Sequence, residues 1–154
     1  MIDIKLKMSN KDNIDNNYLE YFKIIQNTIS RMAQNSFFIK AWSITIIAGI
    51  SVLTFSFITS LIFTILIGVI IIFWVLDTYY LRLERLYRFL YEDVVNAFND
   101  PSRKTQIKLF DMKYEAFKKN VHSFPRIMVS KSEGLFYITL TLALCFLIVL
   151  NIFF

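Results

Sequence analysis

Between Lys40 and Asp77 the chain carries no charged residue, and a second uncharged apolar run extends from Gly134 to Phe154. All 29 charged residues of the 154 lie outside these two blocks, apart from the pair that bounds the first. A bilayer demands such a separation, because a charge at its centre costs roughly 2.5 kcal/mol or more. A soluble domain would instead scatter apolar residues at helix or strand period. The blocks are continuous runs rich in Phe, Ile and Leu, without the alternation of transmembrane strands. Three glycines and two prolines also favour helices. The expected fold is therefore all-α: an integral membrane protein with three transmembrane helices, an N-terminal amphipathic helix and a cytosolic helical loop region.

The stretch 37–80 is too long for one crossing, since a hydrocarbon core of about 30 Å needs about 20 helical residues. It reads as two helices joined by a tight turn around Phe57 to Ser60. Folding the segment back at Ile58 sets Lys40 opposite Asp77 and Trp42 opposite Trp74. The tryptophans fit an interfacial belt that Tyr79 and Tyr80 extend. Lys40 and Asp77 are then placed either to form an ion pair clamping the hairpin or to reach the headgroups separately. Four segments follow: 1–36 with the amphipathic helix, the hairpin 37–80, a basic region 81–133 and the third span 134–154.

Residues 1–16 are polar and rich in Asn and Asp, and are expected to fray. From Asn17, read as an N-cap with Glu20 in the first turn, Tyr18, Phe22, Ile25, Ile29 and Met32 form a helical stripe. This helix is expected on the membrane surface or against the cytosolic loop. Beyond Tyr80 a second stripe, Leu83, Leu86, Tyr87, Leu90 and Val94, continues the hairpin helix. The pairs Glu84–Arg88 and Arg88–Glu92 have favourable i,i+4 spacing. Asn99-Asp100-Pro101 ends it. Ser102 to Phe110 fits a loop or short strand, and Asp111 to His122 a short helix interrupted by Phe124-Pro125.

All 17 Lys and Arg fall within residues 1–40 or 82–131, and none lies in the hairpin turn or at the C-terminal end. The positive-inside rule then places the N-terminus and the basic region in the cytosol, and the hairpin tip and C-terminus outside a bacterial inner membrane. The expectation is that no signal peptide precedes the first apolar run and that this run acts as its own insertion signal.

No catalytic constellation stands out, so an enzyme is not expected, and neither is a cofactor or metal. His122 stands beside Ser123, but adjacent residues rarely face one another, and the lone Cys145 has no partner for an intrachain disulfide. The region 81–133 holds 11 basic and 7 acidic residues. Its Arg103, Lys104, Lys108, Lys113, Lys118, Lys119 and Arg126 are interleaved with Phe110, Tyr114, Phe117 and Phe124. This mixture suits a nucleotide or single strand whose bases stack on rings. It equally suits a basic loop that sets topology and meets anionic headgroups. Ser43, Ser51 and Thr54 share a face of the first span, where they serve helix packing or line a pore. Asn151 hints at self-association or marks the outer interface.

Two runs carry a resemblance: Ile25 to Trp42 (IQNTISRMAQNSFFIKAW) and Phe73 to Arg88 (FWVLDTYYLRLERLYR), with Phe124 to Lys131 fitting more loosely. Together they cover most of the chain from Asn17 onward. They resemble small bacterial membrane effectors of anti-phage defence operons, of the Hailong type. The resemblance implies an oligomeric membrane channel, kept closed until infection by a nucleic-acid oligomer from a partner nucleotidyltransferase. The resulting expectation is a homo-oligomeric channel, a tetramer, gated through the basic region by a nucleic-acid or nucleotide ligand. In it, Lys40 and Asp77 form the gating joint beside a pore carrying Ser43, Ser51 and Thr54. The alternatives are a non-conducting anchor for a partner enzyme and a holin-like toxin without a ligand.

Overall fold

The computed structural model describes the backbone of residues 2–54, 60–104 and 107–153 and, within those ranges, the side chains outside 2–12, 54, 60, 148 and 151–153. Among the described residues there are helices and turns but no strand: α1 (Ile2–Thr54), α2 (Ser60–Asn99), α3 (Pro101–Lys104), a 3-10 segment (Glu115–Lys119), α4 (Phe124–Met128) and α5 (Lys131–Phe153).

The length of α1 follows from what its sequence lacks. The first glycine is Gly49 and the first proline Pro101, so nothing before the apolar block breaks a helix. Helix therefore extends back through the Asn/Asp-rich start to Ile2, where fraying and an N-cap at Asn17 were expected. Each Asn or Asp costs at most about 0.7 kcal/mol of propensity. The expected hairpin turn lies largely outside the described residues, between Thr54 and Ser60. Helix α2 is one helix through both expected stripes and ends at Asn99, as the following Asp-Pro requires.

Four local expectations are adjusted. Of the loop or short strand expected over Ser102 to Phe110, the described residues start within the helical turn α3 and then form a loop over 107–110, where Phe110 takes a left-handed φ of 64°. Only Glu115–Lys119 of the expected 111–122 helix is helical, as a 3-10 turn. Phe124-Pro125 opens α4, where proline in the first turn loses no helical hydrogen bond. Helix α5 begins at Lys131, three residues before the expected Gly134. A Cβ at Gly134 would sit 3.4 Å from the Val129 backbone, so glycine suits this tight α4–α5 junction.

The chain forms two compact units, and α1 and α2 contribute to each. Unit 1 comprises residues 1–31 and 84–121. Its core joins Tyr18, Tyr21 and Ile25 of α1 to Leu90 and Val94 of α2, with Phe22, Tyr91, Phe98, Leu109 and Phe117 packed around them. The amphipathic stripe of α1 thus packs on the α2 stripe and on the chain after α3. Its most buried members include Tyr21, which the three-to-four spacing from Tyr18 had skipped.

Unit 2 comprises residues 32–83 and 122–154. Ile47 of α1, Leu66 and Ile70 of α2, and Tyr137 and Leu144 of α5 form its core. Much apolar surface remains outside it: Phe37, Val52, Leu53, Leu61 and Leu135 are all more than half exposed. Monomeric soluble proteins rarely present such a surface. Two helices, over Asn13–Leu53 and Leu61–Asn99, are long and apolar enough to cross a membrane, and only 22% of each apolar window is buried. Three were expected. The third run forms α5, but its first turn holds charge and the side chains of Ile148 and residues 151–154 lie outside the described set, so two helices meet the test among the described residues.

Candidate functional site

In unit 2 a buried ionic cluster joins three helices. Lys40 follows Ser36 by one turn of α1, so both side chains fall on one face. Asp77 lies on α2, one turn past Trp74. Glu133 and Tyr137 occupy successive turns of α5. Lys40 Nζ lies 2.5 Å from Asp77 Oδ2 and 2.9 Å from Glu133 Oε1, and donates to Ser36 Oγ at 3.1 Å. An ammonium has three donors, and these three acceptors use them all. Ser36 Oγ donates to Asp77 Oδ1 at 2.5 Å, and Tyr137 OH donates to Asp77 Oδ2 at 3.0 Å. Asp77 is 0% and Glu133 1% exposed.

The electrostatics are unequal. Fully ionised, the cluster sets two carboxylates against one ammonium, leaving one formal negative charge in excess. Asp77 is held by Lys40, Ser36 and Tyr137, whereas Glu133 is held by Lys40 alone among the described donors. The arrangement is a three-helix clamp. Folding the apolar run back at Ile58 set Lys40 opposite Asp77 but did not reach Ser36, Glu133 and Tyr137. The i−4 spacing of Ser36 from Lys40 was a usable signal for the first. For Glu133, 93 residues from Lys40, no local signal existed.

Trp42 and Trp74, matched in sequence, have different surroundings. Trp42 is 60% exposed. Trp74 donates its Nε1–H to Met128 O at 3.0 Å and stacks on the Tyr137 ring, centroids 5.6 Å apart. Ser43 is buried and donates to Lys40 O at 2.7 Å. Ser51 is also buried. These two serines sit inside the chain's own packing. The Thr54 and Asn151 side chains lie outside the described residues.

In unit 1 the basic residues divide by environment. Arg103 pairs with Asp93 at 2.9 Å, which raises its pKa further above the usual guanidinium value. Lys104 lies 2.5 Å from Asp15 and 4.1 Å from the centre of the Phe98 ring. Tyr18 OH donates to Lys104 O at 2.6 Å, and Tyr21 OH to Asp111 O, tying the segment after α3 to α1. Beside them, Asp100 Oδ1 accepts from the Ser102 hydroxyl at 2.7 Å and backbone N–H at 2.9 Å, which lowers the Asp100 pKa.

Lys108, Lys113, Lys118 and Lys119 are exposed and make no ion pair among the described residues. Lys118 Nζ lies 6.0 Å from the Tyr114 ring, which itself meets Tyr87 edge-on. Phe117 is packed against the core, whereas Phe110 is 46% exposed between Lys108 and Lys113. Of the seven basic candidates, Arg126 belongs to unit 2, on α4, where it is exposed. Glu84 accepts from Arg88 at 2.6 Å, the i,i+4 pair the spacing predicted. Among the described residues no group of three or more His, Cys, Asp or Glu could hold a metal ion.

No family model, curated protein or solved structure matches the chain.

Proposed function

We propose that this chain is a polytopic membrane protein whose unit 2 lies in the bilayer, with α5 as a third span, and whose unit 1 is a cytosolic sensor. Several copies, a tetramer in the simplest case, form an ion channel. A nucleic-acid or nucleotide ligand, supplied by a partner nucleotidyltransferase, sets whether it conducts, and the biological role is that of an anti-phage effector in the inner membrane. The N-terminus is cytosolic and the C-terminus outside.

The observation that carries this reading is the contrast between the exposed surfaces of the two units. Unit 2 presents Phe37, Trp42, Val52, Leu53, Leu61 and Leu135, while unit 1 presents four lysines with an aromatic ring among them. The first surface suits lipid; the second suits phosphates and a stacked base. Lys108, Phe110, Lys113, Lys118 and Lys119 are the preferred ligand contacts, because Arg103 and Lys104 already have carboxylate partners. The resemblance of Ile25 to Trp42 and Phe73 to Arg88 to defence effectors supplies the rest. Ion flux through the reconstituted protein, with and without single-stranded oligonucleotides, tests it.

One observation favours the non-conducting anchor. Ser43 and Ser51 are buried within one chain, and the exposed Thr45 and Thr139 donate back to carbonyls of their own helices. The hydroxyls of Ser43, Thr45 and Thr139 are engaged within the chain, and Ser51 is buried, which leaves little to line a wet path between copies. A monomer in detergent, without flux under any condition, decides for the anchor.

A further inference from the structure

An open groove of about 540 Å³ in unit 2 is lined by Ile44 of α1 and by α5. Leu135, Phe136, Leu140 and Ala143 line it from α5, and its polar side chains are Ser132 and Thr139. The Thr139 hydroxyl donates to Leu135 O, so it has no proton to offer an occupant. Ser132 stands at one end, next to the exposed Lys131. The neighbouring Glu133 is turned inward onto Lys40 and is 1% exposed, which leaves the lysine charge unopposed by its nearest carboxylate.

We infer that this groove holds one acyl chain of an anionic glycerophospholipid from the cytoplasmic leaflet, with its phosphate at Lys131 and Ser132. The inference rests on unit 2 lying in a membrane. Length supports it: Ser132 to Ala143 covers roughly 16 Å at 1.5 Å per residue, close to one leaflet of a hydrocarbon core of about 30 Å. Charge supports it too, because the exposed Lys131 directly precedes Ser132, while Lys40, 5.9 Å from the Phe136 ring, is already paired with Asp77 and Glu133. Phosphate at one end and hydrocarbon along the rest match the groove in order.

The test is spin-label electron paramagnetic resonance on the full chain in phosphatidylcholine bilayers, doped with chain-labelled phosphatidylglycerol or phosphatidylcholine. One lysine near an anionic surface is worth a preference of about fivefold. The relative association constant drawn from the immobilised fractions should favour phosphatidylglycerol over phosphatidylcholine by this factor. Lys131→Glu should abolish the preference, and Ala143→Trp, which blocks the deep end, should release both lipids. Both positions are exposed, so neither change burdens the core.

Equal fractions in the unaltered protein, or a preference that survives both substitutions, would overturn the lipid site. So would an Ala143→Trp change in oligomer size with no bound lipid, which would assign the groove to a second copy. Failure to stay with vesicles in alkaline carbonate would instead overturn the membrane reading beneath it.

Discussion

Lys40 and Asp77, 37 residues apart along an uncharged run, lie 2.5 Å apart in unit 2, and Glu133 on α5 shares the same ammonium at 2.9 Å. One cation therefore fastens three helices. Removing Asp77 leaves Lys40 paired with Glu133 but takes the acceptor from the Ser36 and Tyr137 hydroxyls, at about 1–3 kcal/mol for each buried group left unpaired. Asp77→Ala should lower stability by that order, read as a large fall in the thermal midpoint in detergent. An unchanged midpoint would show that the clamp does not hold the helices together.

Glu133→Gln should behave differently. It keeps an acceptor for Lys40 and removes the excess negative charge, while Asp77 retains its other donors, Ser36 and Tyr137. Its effect on the midpoint should be smaller than that of Asp77→Asn, and the same for Tyr137→Phe, which forfeits about 1 kcal/mol of hydrogen bond. A Glu133→Gln loss as large as that of Asp77→Ala would overturn the unequal division of the cluster.

In unit 1, Tyr18 and Tyr21 tie the segment from Lys104 to Asp111 to α1 through their hydroxyls. Tyr18→Phe with Tyr21→Phe removes two hydrogen bonds and leaves the rings in place, a loss of about 1 kcal/mol each. Trypsin should then cut sooner at Lys108 and Lys113, with the helical circular dichroism signal unchanged. Cleavage at the original rate would mean that packing of Leu109 and Met112 holds the segment without them.

The Asp100 carboxyl is held below its usual range by the Ser102 hydroxyl and N–H. Because the folded value is depressed, this contribution to the α3 turn is present above the ordinary carboxylate range and is lost as pH falls through the folded value. Ser102→Ala should move the Asp100 titration upward, measured by carbon NMR of the carboxyl. No upward movement would show that the hydroxyl is not the main cause.

Much of this architecture was legible in particular residues. The absence of charge from 41 to 76 defined the apolar block, Asp100-Pro101 marked the end of α2, and folding at Ile58 brought Lys40 to Asp77. What escaped was decided by neighbours distant in sequence or by the absence of breakers. Glu133 stood at the edge of a separate run, where it reads as a solvated first-turn acid. The Asn/Asp-rich start looked frayed by composition, yet contains neither Pro nor Gly to stop a helix. Arg103 and Lys104 looked like ligand residues because charge alone cannot reveal that Asp93 and Asp15 already occupy them.

That division of the lysines gives a quantitative expectation for ligand binding. Each phosphate contact on a single strand contributes about −0.7 to the slope of log K against log salt. Lys118→Gln with Lys119→Gln should therefore make the slope shallower by about 1.4. Arg103→Gln should leave it nearly unchanged. The reverse ranking, by oligonucleotide titration at several salt concentrations, would return the site to Arg103.

The most direct test of the central claim is ion flux in liposomes loaded with a potential-sensitive dye, with and without single-stranded oligonucleotides. The account predicts flux that an oligonucleotide alters, and that loses this sensitivity in the Lys118→Gln, Lys119→Gln variant while retaining conductance. No flux under any condition, from a protein that is monomeric in detergent, would contradict the channel and leave the membrane anchor.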